Sequence, residues 1–184
     1  MDATNIIRPI LSVITNIGLD HTEFLGTSLA MIAAEKGGII KPGVPVVIGK
    51  KQVETEVIFT ALAKQNRASL FYAEEQAIPS ISLDLLGHYQ EENKRTAFVA
   101  LKQLLGDQMD GDALEGFSRV VKNTGLRGRW ETIGNAPLII VDVTHNKEGF
   151  EKVIPQLESL EKRRLHIVLG FVKGKAIEEI FALL

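Results

Sequence analysis

The stretch ILSVITNIGLDHTEFLGTSLAMIAAEKGGIIKPGVPVVI, residues 10–48, determines the fold expected for this chain. Its apolar pattern predicts a strand over Ile10–Ile17, a helix over Ser28–Lys36 and a short buried strand over Val44–Ile48. The glycine pair Gly37-Gly38 is placed to end the helix. Because two strands joined through a helix lie parallel in one sheet, the stretch predicts an α/β fold.

Strands and helices continue to alternate beyond this stretch. Helices are predicted over Gln52–Asn66, Glu91–Leu105 and Asp112–Val121, and a weak strand over Leu70–Tyr72. This order favours largely parallel sheets with flanking helices. Residues 123–128 are polar and contain glycine, and a β-rich stretch starts after them. Two domains are therefore expected, over residues 1–124 and 125–184.

The second part of the chain is predicted to start with a hairpin. Its strands are expected at Trp130–Ile133 and Leu138–Val143, and the second one is so apolar that both of its faces are expected to be buried. A further buried strand is predicted over Leu165–Leu169 and a helix over Ile177–Leu184. Between them, residues at helical spacing predict a helix in which Pro155 lies: Phe150, Val153, Ile154, Leu157 and Leu160.

Composition excludes several classes of protein. The chain has 184 residues, 24% charged and 45% hydrophobic, with 21 basic and 23 acidic side chains. A disordered chain would have fewer apolar residues, and a nucleic-acid binder would have an excess of basic residues, so neither class is favoured. No apolar run approaches the roughly 18 residues of a membrane span, and residues 1–20 do not resemble a signal peptide. With no cysteine, a disulfide framework is excluded and a cytoplasmic location is expected.

Two polar features could carry chemistry in the first part. Asp20 and His21 follow the first predicted strand, at the sheet edge where α/β proteins bind ligands. They could bind a divalent cation or form an ordinary loop pair. Lys36 falls on the apolar stripe of its helix, with Leu29, Ile32 and Ala33. A buried ammonium must pair, lose its proton or react with carbon dioxide to a carbamate, whereas a lysine in a last turn can also snorkel to solvent.

Several strings closely resemble the folylpolyglutamate synthase/dihydrofolate synthase family of the Mur ligase superfamily. They are spread along nearly the whole chain: Asp2-Ala3-Thr4-Asn5, Ile14–His21, Ile32–Gly43, Gln90–Asn93, Gly128–Glu131 and Asp142–Asn146. The resemblance implies part of a Mur-ligase-type central ATPase domain, followed by the first half of a Rossmann-like C-terminal domain.

The resemblance also implies a set of site residues. His21 would bind magnesium, and Lys36 would be the carbamylated lysine beside a second magnesium ion. Asn93, Arg129 and Asp142 would bind ATP, and His145 would lie on the nucleotide or glutamate side.

Elementary chemistry supports these roles without deciding them. The guanidinium of Arg129 could bind phosphate oxygens at the domain junction, or lie in a solvated linker. Asp142 could accept both ribose hydroxyls or hydrogen-bond the start of the next helix. Asn146 is placed to cap that helix, which puts His145 in the turn before it. Asn93, on an early helical turn, could equally be a capping or surface amide.

The chain departs from the family pattern in two respects. A P-loop of the Gly-Lys-Ser/Thr kind and a metal-binding glutamate, which family members usually carry before the Asp-Ala-Thr-Asn string, are not found in it. Residues 170–176 do not replace the P-loop, because their spacing is one residue short and Ala176 has no hydroxyl. A zinc site built from His88 and His166 is disfavoured, since no ligand spacing links them.

The resemblance implies an ATP-dependent ligase of folate biosynthesis that joins L-glutamate to dihydropteroate, folates or both through an acyl phosphate. The intact protein is expected to be a monomer without nucleic-acid or membrane partners. The chain is expected to be a fragment of it that is inactive alone and self-associates through exposed apolar edges. The alternative is a stand-alone nucleotide-binding or scaffold module without catalysis. An in-frame P-loop sequence upstream of Met1 in the gene would support the fragment. A genuine start codon at Met1 would support the stand-alone module.

Overall fold

The structure of the chain is a computed structural model that describes residues 3–19, 22–172 and 177–184. The chain forms two compact units, one of Met1–Ile81 with Glu92–Glu115 and one of Ser82–Glu91 with Gly116–Leu184. Residues 82–91 and 116–124 thus belong to the second unit, although they precede the expected domain boundary. The assignment of two sequence domains over 1–124 and 125–184 stays a proposal.

The first unit contains a three-stranded parallel sheet in the order β1, β2, β3. Strand β1 spans Ser12–Ile14, β2 Val46–Ile48 and β3 Leu70–Tyr72. Ser12 pairs with Val46, which in turn pairs with Leu70. The predicted parallel α/β arrangement is therefore confirmed for this unit.

The helices of the first unit lie between its strands and after the last strand in the sequence. They are α1 (Thr22–Leu25), α2 (Leu29–Lys36), α3 (Val53–Asn66) and α4 (Gln90–Leu105), and the first part of α5 (Gly111–Phe117) also lies in this unit. Helix α4 starts in the second unit and continues in the first.

Apolar side chains of the sheet and of α2 and α3 form the core of the first unit. Ile32, Val46, Ile48 and Phe59 are completely buried. Helix α2 begins where predicted, because the Ser28 hydroxyl accepts a 3.2 Å hydrogen bond from the amide of Met31. Burial of an apolar face, rather than helix propensity, therefore holds α2 and α3 on the sheet.

The second unit contains a two-stranded antiparallel sheet and three further helices. Strand β4 (Glu131–Asn135) pairs with β5 (Leu138–Val141), which confirms the predicted hairpin. The helices are α6 (Val120–Thr124), α7 (Lys147–Glu158) and α8 (Ile177–Phe181). Helix α7 packs through Phe150, whose ring lies 6.2 Å from that of Phe171.

Two predictions of secondary structure and one of burial were wrong. The helix expected over Asp112–Val121 is split into α5 and α6, and residues 165–169 form no strand. Strand β5, expected to be buried on both faces, exposes 50% of Leu138 and 44% of Ile139. An apolar strand needs neighbours to cover it, and in the described part of the chain β5 pairs with β4 alone.

Within residues 3–19, 22–172 and 177–184, none of the helices is long and apolar enough to cross a membrane.

Candidate functional site

The candidate site of the second unit is organised around the Asp142 carboxylate, directly after β5. Oδ2 accepts hydrogen bonds of 2.7 Å from the Tyr89 hydroxyl and 2.7 Å from the amide of Trp130. Oδ1 accepts from the amide and the hydroxyl of Thr144, at 2.9 and 2.5 Å. A carboxylate offers about four acceptor directions, so the protein itself occupies all of those of Asp142.

Arg129 lies between two fixed peptide groups. On one side, the carbonyl of Gly128 accepts from the amide of Val143 at 2.9 Å, and the Gly128 amide donates to Glu131 Oε2 at 2.8 Å. Gly128 has φ +68°, and a Cβ on it would lie 2.7 Å from a methyl group of Val143, so only glycine fits. On the other side lies Trp130, whose amide is held by Asp142.

The Arg129 side chain is half-buried and donates from Nη1 to the Gly128 carbonyl at 3.3 Å. Four of the five N–H groups of a guanidinium remain after one such bond, arranged as a fork that suits phosphate or carboxylate oxygens. A permanently charged group on a rigid backbone segment is therefore available to bind an anion.

The segment Ser82–Glu91 is fastened to the rest of the second unit by side chains distant in sequence. The carboxylate of Asp84 accepts a 2.8 Å hydrogen bond from the amide of Val121. The buried amide of Gln156 clamps the next turn, since Nε2 donates to the Leu86 carbonyl at 2.8 Å and Oε1 accepts from the His88 amide at 2.7 Å. Tyr89, next in sequence, then reaches Asp142.

The hydroxyl of Tyr89 is kept protonated by its surroundings. Burial is the main cause that raises its pKa, and the hydrogen bond and negative charge of Asp142 raise it further. Tyr89 therefore remains a hydrogen-bond donor to Asp142 over the whole physiological pH range.

His145 and Asn146 lie in the turn before α7. The side chain of Asn146 accepts a 3.0 Å hydrogen bond from the amide of Gly149, which confirms it as the predicted cap of the helix. His145 is exposed, and its Nδ1 lies 3.1 Å from the Val143 carbonyl. When Nδ1 donates to this carbonyl, Nε2 is left to interact with a ligand.

The remaining predicted site residues with a described position are exposed. Asn93 lies on the first turn of α4 and Lys36 is the last residue of α2. Of the two alternatives for Lys36, its exposure matches the lysine that reaches solvent from the last turn and excludes the one buried on the apolar stripe. The stripe of Ile32 and Ala33 continues through Gly37, on which a Cβ would meet Leu62 at 2.3 Å, and Lys36 is thereby turned toward solvent.

A metal site is not assembled by the residues that the structure describes. His21 and its neighbour Asp20 lie outside them, as do residues 173–176 of the rejected P-loop substitute. Elsewhere in the described ranges, no three His, Asp or Glu side chains converge to hold a metal ion. His166, expected within a strand, lies exposed in an irregular segment, and His88 is exposed as well.

Residues 128–184 match the family described as Mur ligase, glutamate ligase domain. Over 97% of its length, the chain is 27% identical to the dihydrofolate synthase/folylpolyglutamate synthase of Bacillus subtilis. The chain is related to folylpolyglutamate and dihydrofolate synthases. It spans about half the length of these curated relatives, covering 47% of the Bacillus subtilis protein.

Solved structures of folylpolyglutamate synthases show the same fold. Escherichia coli FolC in complex with DHPP and ADP matches 99% of this chain with a TM-score of 0.84 and 26% identity, over 46% of its own length. Mycobacterium tuberculosis folylpolyglutamate synthase complexed with ADP also matches 99% of the chain, with a TM-score of 0.85 and 28% identity, over 46% of its own length. The Mur-ligase-type fold inferred from the sequence strings is thereby confirmed.

Sequence reasoning missed three members of the site. The contact with Thr144 carried a signal, since an aspartate side chain often accepts a hydrogen bond from the backbone amide two residues later. Tyr89 is 53 positions from Asp142, so no local sequence pattern predicts their contact. Trp130 was predicted to begin a strand, whereas it has a left-handed backbone with φ +52°.

Proposed function

We propose that this chain serves an ATP-dependent ligase that joins L-glutamate to dihydropteroate, to folates or to both. The observation that supports this most is the match of 99% of the chain to FolC with bound DHPP and ADP. A substrate carboxylate oxygen attacks the γ-phosphorus of ATP, and the bond to ADP breaks to leave an acyl phosphate. The glutamate amine then attacks the acyl carbon, loses a proton and displaces inorganic phosphate.

Arg129 is the proposed phosphate-binding residue. Its half-buried guanidinium lies on a segment whose backbone is fixed at Gly128 and Trp130. Binding of a phosphate therefore costs little conformational entropy of the backbone. Catalysis of phosphoryl transfer depends on such prearranged charge. Asn93 is proposed to bind the nucleotide as well, and His145 to face the nucleotide or the glutamate. Asp142 is proposed to support nucleotide binding by holding the amide of Trp130, which is the residue next to Arg129.

Magnesium and a carbamylated Lys36 complete the proposal. When bound, magnesium would neutralise charge on the triphosphate. Lys36 is exposed, and the described residues do not assemble a ligand set for the metal by themselves. Crystals grown with magnesium and bicarbonate test the idea, which predicts density for a carbamate on Lys36 and an ion near His21. A bare lysine under these conditions contradicts it.

The 184-residue chain is proposed to be inactive on its own. It has no Gly-Lys-Ser/Thr loop to hold the triphosphate, so most of the charge stabilisation in the transition state is missing. Phosphate release in the presence of dihydropteroate, ATP, magnesium and glutamate is the assay. Glutamate-dependent turnover by the pure chain would refute this part of the proposal.

Nucleotide binding and the cellular folate pool test the function itself. We expect ATP to change the fluorescence of Trp130, the single tryptophan, and Arg129→Ala to raise the Kd for ATP more than tenfold while binding stays measurable at millimolar ATP. Disruption of the gene that encodes this chain should deplete dihydrofolate or shorten the glutamate tails of folates. An unchanged folate pool would instead favour a binding module. The cysteine-free composition fits a reducing cytoplasm as the place of this activity.

A further inference from the structure

We propose that Tyr89 is a positioning residue for nucleotide binding, because it holds the Asp142 carboxylate that fixes the peptide between Arg129 and Trp130. The inference rests on the proposed function, since it assigns Arg129 to phosphate. It adds a residue that makes no contact with the ligand in this scheme and controls how the arginine is presented.

The peptide between Arg129 and Trp130 leads into a residue with an unfavourable backbone conformation. Trp130 has φ +52°, a conformation that costs free energy in a bulky residue and persists only where its surroundings enforce it. Two features enforce it here. Trp130 is buried, with 5% of its surface exposed, and its amide donates a 2.7 Å hydrogen bond to Asp142 Oδ2. The orientation of this peptide sets the direction in which the Arg129 side chain leaves the backbone.

Asp142 can hold this peptide only if its own carboxylate is fixed. Thr144 fixes Oδ1 through its amide and hydroxyl, but Oδ2 has one further donor, the hydroxyl of Tyr89. Without that hydroxyl, Oδ2 would keep the Trp130 amide as its sole protein donor among the described residues. The carboxylate could then rotate toward solvent, and the strained backbone of Trp130 would be free to relax.

Tyr89 is itself held in place from both sides. A Cβ on Gly87 would lie 2.6 Å from a ring carbon of Tyr89, so the ring packs directly on that backbone. The Gln156 side chain binds the Leu86 carbonyl and the His88 amide, and thereby fixes the turn that precedes Tyr89. Tyr89 therefore reaches Asp142 from a rigid support, which a positioning residue requires.

Tyr89→Phe in the 184-residue chain tests the proposal, with ATP and adenosine as probes and Trp130 fluorescence as the readout. We expect the Kd for ATP to rise about tenfold, as for the loss of a hydrogen bond to a charged group. The Kd for adenosine, which has no phosphate for Arg129 to bind, should change less than twofold. Tyr72→Phe, the same change at the other tyrosine of the chain, should leave both constants unchanged.

A double-mutant cycle separates positioning from a general loss of structure. In an Arg129→Ala background, Tyr89→Phe should weaken ATP binding no further, because the group that it positions is gone. Equal loss of ATP and adenosine affinity, or an additive effect in the cycle, would overturn the inference. An ATP affinity unaltered by Tyr89→Phe but weakened by Arg129→Ala would overturn it and leave the proposed function standing.

Two further results complete the test. Absence of ATP binding by the unmodified chain would overturn the inference, whereas the folate pool of cells that lack the gene tests the proposed function separately. Should Tyr89→Phe fail to fold, Thr144→Ala removes the hydroxyl donor from the other carboxylate oxygen and is expected to weaken ATP binding severalfold, again with adenosine spared. No selective loss with that variant would equally overturn the inference.

Discussion

The side-chain amide of Gln52 forms two hydrogen bonds with the backbone of Ile17, 35 positions earlier. Nε2 donates to the Ile17 carbonyl at 2.8 Å, and Oε1 accepts from the Ile17 amide at 3.0 Å. Just before this point, the amides of Gly49 and Lys50 donate to the carbonyls of Ile14 and Thr15. The Gln52 side chain thus takes the place of a strand and extends the pairing between β1 and the segment after β2.

Gln52→Ala is expected to destabilise the first unit by about 2 kcal/mol, because it leaves the amide and carbonyl of buried Ile17 without these partners. Gln52→Glu keeps an acceptor for the Ile17 amide but turns a second carboxylate oxygen toward the Ile17 carbonyl, so it should destabilise the unit as well. Urea unfolding measures both, with Gln65→Ala at an exposed position of the same helix as the control. Equal stability of Gln52→Ala and Gln65→Ala would show that the amide pair contributes nothing.

Gly49→Ala should destabilise the first unit by about 2 to 3 kcal/mol. A Cβ on Gly49 would lie 2.2 Å from the Thr15 carbonyl oxygen and 2.7 Å from the Thr96 hydroxyl, and backbone cannot move aside as a flexible side chain can. Gly111→Ala is the matched control, since its Cβ would have no atom within 4 Å. Thermal unfolding of the two variants gives the comparison, and indistinguishable midpoints would contradict the expected clash.

Asn146→Ala should lower the stability of the second unit by about 1 kcal/mol, because the amide of Gly149 loses its cap acceptor at the start of α7. Asn146→Asp retains an acceptor and adds a negative charge at the helix N-terminus, so it should be at least as stable as the parent chain. Helix content followed by circular dichroism during urea unfolding checks the pair. A more stable alanine variant would refute the assignment of Asn146 as the cap.

Stability should decline in alkali partly through Tyr89. Its folded-state pKa is raised above the ordinary value of 10.0, so above about pH 10 the unfolded chain has lost a proton that the folded chain retains. The free energy of unfolding therefore falls as the pH rises beyond 10. Tyr89→Phe should show a shallower fall between pH 9 and 11. Contributions of Tyr72 and Lys51, whose pKa values are also raised, cancel in this comparison.

The pure 184-residue chain is expected to self-associate. Strand β5 exposes Leu138, Ile139 and Val141, and the irregular segment that follows α7 exposes 96% of Val168. Exposed apolar strands are templates for pairing between copies. Sedimentation velocity at increasing concentration should show species above the monomer, and Ile139→Lys should reduce them. A sharp monomer at all concentrations would contradict this expectation.

Much of the first unit could be predicted from sequence, because its signals are local. Ser28 and the glycine pair after Lys36 mark the ends of α2, and Leu70–Tyr72 is a strand as predicted. The exposure of Lys36 could not be predicted with the same ease. Whether the buried stripe of α2 passes through Lys36 or Gly37 depends on which of them faces Leu62 of α3, and that is a contact between two helices.

The order of strands and helices in the first unit and the relation to glutamate ligases could be read from the amino-acid sequence, since both lie in short, contiguous strings of residues. The contact of Asp142 with Tyr89, 53 positions away, and the support of Tyr89's segment by Gln156, 68 and 70 positions away, became visible only in the folded chain. The same holds for the exposure of β5. Hydrogen bonds and burial depend on which surfaces meet, and residues so far apart in sequence leave no periodic trace of their meeting.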